Sequence, residues 1–106
     1  MIHVLVKRSD QAVQLLHVEG HANSRTLRGG RYDLVCCAVS TLMNNLLEGF
    51  DLLGKGHLTS VNVKDNSVRV RPEDEPTQQV LMQAAIRTLE GIEEQHAKFL
   101  EIHMEV

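Results

Sequence analysis

The sequence is poor in aromatic residues: Tyr32, Phe50 and Phe99 are its only three, and tryptophan is absent. Its core is therefore expected to be aliphatic. Proline is limited to Pro72 and Pro76, and no stretch rich in proline, glycine or serine divides the 106 residues. One domain over residues 1–106 is expected. Positive charge is not in excess, since eleven Lys and Arg stand against fourteen Asp and Glu, a formal charge of −3. A general nucleic-acid coat needs clustered basic charge, so no direct nucleic-acid partner is expected. No apolar run is long enough to cross a bilayer. The longest uncharged one, Leu34 to Leu47, falls short of the roughly 20 residues required and contains Asn44 and Asn45. Met1-Ile2-His3-Val4-Leu5-Val6-Lys7 places no basic segment ahead of its apolar residues, unlike a signal peptide. A cytoplasmic location without membrane contact is expected. Cysteine is confined to the adjacent pair Cys36-Cys37. Vicinal disulfides are strained and cytoplasmic thiols stay reduced, so two thiols are expected.

What is present is a clear alternation of strand and helix patterns. Ile2 to Lys7 and Val13 to Val18 read as strands joined through Arg8-Ser9-Asp10-Gln11. Gly20 to Asp33 is polar, with Arg25, Arg28, Gly29, Gly30 and Arg31 and no apolar alternation. A helix is expected from about Leu34 to Leu53. Val35, Val39, Leu42, Met43, Leu46, Leu47, Phe50 and Leu53 form its inner stripe, and Thr41, Asn44, Asn45 and Glu48 its polar face. Asp33 is the expected N-cap, and Gly54 and Gly56 the stop signal. Leu58 to Val63 and Val68 to Arg71 read as a second hairpin around Lys64-Asp65-Asn66-Ser67. Pro72, the acidic run Glu73-Asp74-Glu75 and Pro76 open a second helix, about Thr77 to Lys98, with Leu81, Ala85, Leu89 and Ile92 inward. In Leu100 to Val106, Ile102, Met104 and Val106 face one way and Glu101, His103 and Glu105 the other. The order ββαββαβ predicts an α/β fold of the α+β type. Two helices would cover a mixed five-stranded sheet in a two-layer sandwich.

The stretch with chemistry in it is Gly20-His21-Ala22 followed, 14 residues on, by Cys36. A histidine at a strand end faces a cysteine at a helix start, across a loop with glycines. An ordinary thiol is only about 3% ionised at pH 7, and bringing its pKa to about 7 takes roughly 2 kcal/mol. A helix dipole supplies about 0.3–1 kcal/mol, so an imidazolium partner has to supply the rest. His21 is the best-placed partner, and the pair would work as nucleophile and general acid/base. Residue physics leaves the choice of thiol open, because exposure favours Cys37 and helix-end position favours Cys36. Ser40, one turn after Cys36, reads first as a serine bonded to its own helix. Zinc sites need about four ligands at recognisable spacing, and none is apparent. His3, His17, His57, His96 and His103 are scattered, so no metal and no cofactor are expected.

Gly20-His21-Ala22 together with Asp33-Leu34-Val35-Cys36-Cys37-Ala38-Val39-Ser40 resembles the ribosomal-processing cysteine protease family, Prp. That family carries a Gly-His-Ala segment and an Asp-Ile-Val-Cys-Ala-Ala-Val-Ser-like segment heading a helix. The resemblance covers the whole chain in length and order of elements. It implies a bacterial homodimer that removes a short N-terminal extension from large-subunit ribosomal protein twenty-seven. It implies Cys36 as nucleophile and His21 as general base, with Gly20, Asp33 and Ser40 in supporting positions. Arg28, Gly29, Gly30 and Arg31 would belong to a mobile cover over the peptide. The chain departs from the pattern in Leu34 for Ile, in Cys37 for Ala, and in a longer loop with three arginines. Two other functions fit the residues alone. One is a non-catalytic ribosome- or protein-binding module, and the other a thiol redox or metal-handling protein built on Cys36-Cys37.

Overall fold

The computed structural model describes residues 1–20, 31–54, 60–62 and 67–106, with the side chains of 31–33 and 60–62 excepted. The elements are β1 (Ile2–Ser9), β2 (Ala12–Gly20), α1 (Arg31–Leu52), β3 (Ser60–Asn62), β4 (Ser67–Val70), α2 (Pro76–Gln95) and β5 (Leu100–Glu105). The sheet runs β3-β4-β2-β1-β5, with the three-residue β3 at one edge. The β1–β2, β2–β4 and β3–β4 pairs are antiparallel, whereas β5 lies parallel to β1, so the sheet is mixed. The result is an α+β fold with two helices over a mixed sheet. Within the described residues, no helix is long and apolar enough to cross a membrane.

The core is aliphatic, as the aromatic shortage requires. Ile2, Val4, Val6, Leu16 and Val18 from the β1–β2 hairpin meet Val35, Val39, Met43 and Leu46 from α1, and Met82, Ile86 and Leu89 from α2. Phe50 is the one fully buried aromatic side chain among the described residues. The other sheet face carries His3, Lys7, His17, Glu19 and Arg69, with the buried Leu15 opposite Lys7, so burial on the helix side sets most of the alternation. Between Lys7 and Arg8 the register shifts: Lys7 faces Leu15 and Arg8 faces Val13, leaving Gln14 without a counterpart. This bulge moves the inward position from Gln14 to Val13.

Several boundaries differ from the sequence pattern. The first hairpin turns on Asp10 and Gln11 alone. Asp10 takes a left-handed φ of 54°, which aspartate tolerates, so Arg8 and Ser9 remain in the strand. Helix α1 starts at Arg31, three residues before the expected Leu34. Asp33 is therefore its third residue rather than its N-cap. An acidic residue suits either place, because both face the positive end of the dipole. Gly54 ends α1 as expected, with φ 70° and its N–H donating to Asp51 O at 2.9 Å. Leu58 and Val63, and the turn residues 64–66, lie outside the described residues.

Helix α2 is capped by Glu75, whose carboxylate accepts from Thr77 N at 3.0 Å and Gln78 N at 3.1 Å, with Pro76 following it. It ends at Gln95 rather than Lys98. Its inner stripe is Gln78, Gln79, Met82, Ala85, Ile86 and Leu89; Leu81 and Ile92 sit at the margin. On β5 only Leu100 and Ile102 reach the core, while Met104 is 47% exposed and Val106 fully so. The helix layer stops at Ile102, where Glu93 of α2 accepts from Ile102 N at 2.8 Å.

Candidate active site

The candidate site lies where β2 ends and α1 begins. Gly20 closes β2 opposite Ile2, with φ at 101°. A Cβ built there would lie 2.6 Å from the Met1 carbonyl oxygen. Backbone shape alone thus demands glycine before His21, whatever the chemistry beyond it. Gly20→Ala is expected to cost roughly 1–3 kcal/mol from backbone strain. A urea-melt midpoint equal to that of the unaltered chain would contradict this.

Cys36 and Cys37 differ sharply on α1. Cys36 is partly buried and packs on the core beside the Val35–Val39 stripe. Cys37 is exposed, its Sγ 4.0 Å from Thr41 Oγ1 one turn on. Adjacent helical positions turn the side chains about 100° apart, and the two form no disulfide. Cys37 is thus the more exposed thiol, as expected from the sequence. The helix-end argument does not hold. With α1 starting at Arg31, Cys36 is its sixth residue and stands in the second turn. Dipole stabilisation is concentrated in the first turn. An N–H at the sixth position also bonds back to the carbonyl of the second, so the Cys36 amide is engaged within the helix.

Ser40 is exposed and lies four residues beyond Cys36, on the same side of the helix. Asp33 is in the first turn by its backbone. His21, Arg28, Gly29 and Gly30 lie outside the described residues, and Arg31 is placed by its backbone as the first residue of α1. Sequence reasoning missed a groove of about 480 Å³ between the helices, lined by Leu34, Val35, Ala38, Gly91, Ile92 and His96 among others. Leu34, 69% exposed, forms its rim. Cys36 is turned about 160° around α1 from Ala38, so this groove is not the one its sulfur faces.

The class of protein is a cysteine protease, shown by a family match that runs through both β2 and α1. The family model of cysteine protease Prp matches residues 1–101, and the chain belongs to that family. Among solved structures it is similar to an essential ribosomal processing protease Prp from S. aureus in complex with a substrate peptide. The TM-score is 0.83 at 19% identity, covering 99% of this chain and 100% of that one. The same S. aureus protease with a covalently linked product peptide gives a TM-score of 0.76 at 19% identity, with 99% and 100% covered. SMU.848 from Streptococcus mutans gives 0.76 at 22% identity, with 99% and 94% covered. These likenesses are of fold. No curated protein matches the sequence.

Proposed function

We propose that this chain is the bacterial cytoplasmic endopeptidase, acting as a homodimer, that removes the N-terminal extension of large-subunit ribosomal protein twenty-seven. The observation that carries the reading is the family match over residues 1–101, which contains both motif segments. A peptide substrate is in keeping with the substrate-bound S. aureus relative. Cys36 is the nucleophile and His21 its acid and base. Partial burial of Cys36 against the core favours it over Cys37, because a nucleophile is effective when packing holds it in one geometry.

The chemistry is acyl transfer. His21 takes the Cys36 proton, and the sulfur attacks the scissile carbonyl. The C–N bond breaks as His21 protonates the leaving amine, which becomes the mature N-terminus. Water, deprotonated by His21, then hydrolyses the thioester and regenerates the thiol. Backbone amides of the first α1 turn are the nearest helix donors for the oxyanion. Gly20 shapes the strand end before His21, Asp33 adds negative charge to that turn, and Ser40 borders the site.

With a second-turn cysteine, His21 carries nearly all of the activation. His21→Ala is expected to lower the cleavage rate of a junction peptide by on the order of 10²–10⁴-fold. Chromatographic assay of a peptide spanning the extension junction checks this. An unchanged rate removes His21 from the mechanism, and an intact junction with unaltered, folded chain under reducing conditions removes the function.

A further inference from the structure

The sheet face turned away from the helices holds a cluster that spacing in the sequence conceals. Parallel pairing of β1 with β5 sets His3 directly opposite Glu101 and Leu5 opposite His103. Residues two apart on a strand share a face, so Glu101 and His103 project beside His3. The imidazoles of His3 and His103 stack with centroids 6.2 Å apart and planes 20° apart. Glu101 Oε1 lies 2.7 Å from His103 Nε2. One donor atom from each of the three residues lies within 4.8 Å of the other two.

We propose that His3, Glu101 and His103 form a divalent transition-metal site, for which zinc is the best-matched ion, clipping β5 to β1. Two imidazoles and one carboxylate are a three-ligand zinc donor set, with water completing the tetrahedron. Bond lengths of about 2.0–2.2 Å place such donors roughly 3.3 Å apart. The paired strands hold the three Cα positions, and the exposed side chains close the remaining gap by rotation. Magnesium and calcium prefer all-oxygen shells and are poorly matched. Around the cluster, β2 contributes Glu19 opposite His3. On β1 and β5, Lys7 Nζ pairs with Glu105 Oε2 at 3.7 Å. On β4, Arg69 Nε donates to His17 Nδ1 at 3.1 Å, which keeps that guanidinium and imidazole engaged with each other.

Zinc requires both imidazoles neutral, so binding displaces protons and weakens in acid. The bound ion would tie the first strand to the last and raise stability by mass action. Because the site lies on the face opposite α1, it is separate from the proposed nucleophile, and it does not depend on the protease reading.

The test uses the full chain with Cys36→Ala and Cys37→Ala, so that no thiol captures zinc. Zn²⁺ is titrated in competition with a chromogenic chelator, and histidine ring protons are followed by NMR. One ion per chain is expected, with the His3 and His103 ring resonances moving together. Losing an outer-shell partner alone costs about 10–100-fold in metal affinity, so His3→Ala and His103→Ala should each weaken binding at least about tenfold. His96→Ala should leave it unchanged, and Mg²⁺ should not compete. Equal zinc affinity in folded His3→Ala and His103→Ala, or zinc binding that leaves both rings unshifted, would overturn the proposal. So would an absence of binding at micromolar zinc.

Discussion

Cys36→Ala is expected to abolish peptide cleavage, and Cys37→Ala to preserve most of it. Removing the nucleophile of a dyad that works as a unit costs on the order of 10⁴-fold or more. Both replacements keep α1 intact, because alanine is the best helix former. Cys36 loses a partly buried sulfur packed at the core margin, so a small stability loss accompanies its replacement. Cys37 is exposed and contacts Thr41 across one turn, so its loss touches nothing in the core. Rates on the junction peptide with circular dichroism of each variant separate chemistry from folding. If folded Cys37→Ala is the inactive variant, the assignment of the two thiols is reversed.

Gln79→Leu is expected to lower unfolding free energy by about 2–4 kcal/mol. Gln79 is 8% exposed on α2, and its Oε1 accepts from Val13 N at 2.7 Å. Its Nε2 donates to Val13 O and Glu73 O, both at 3.0 Å. One amide thus serves the bulged end of β2 and the segment leading into α2. Leucine fills a similar volume but leaves the Val13 N–H without its acceptor, in a residue only 1% exposed. The corresponding fall in Tm is on the order of 10–20 °C. Gln79→Glu should be no better, because its second oxygen would face the two carbonyls that Nε2 now serves. A Tm within a degree or two of the unaltered chain for Gln79→Leu would show that water replaces the amide.

Local patterns carried the elements well, since burial on one face imposes period two on strands and 3.6 on helices. The α1 stripe from Val35 to Phe50 follows directly from that rule. What stayed hidden depended on partners distant in sequence. Gln78 and Gln79 look like surface residues until Val13 and Glu73 are seen to use them. Met104 and Val106 alternate as if covered, yet the helix layer ends before them. His3 and His103 are 100 positions apart, and only the parallel β1–β5 register joins them. Asp33 fits a cap and a first turn equally, so the sequence does not fix the start of α1, and the observed start at Arg31 sets Cys36 one turn further from the helix end. At the site, the contrast between Cys36 and Cys37 was legible from helical angle, while the pairing of Cys36 with His21 rests on motif.

The most direct test of the central claim is intact-mass spectrometry of the chain quenched in acid during turnover of its own ribosomal junction peptide. The expected result is a transient mass increase equal to the extension fragment less one water, mapped by digestion to Cys36 and forming far more slowly in His21→Ala. Cleavage with the adduct on Cys37, or cleavage that persists in Cys36→Ala, would contradict the account.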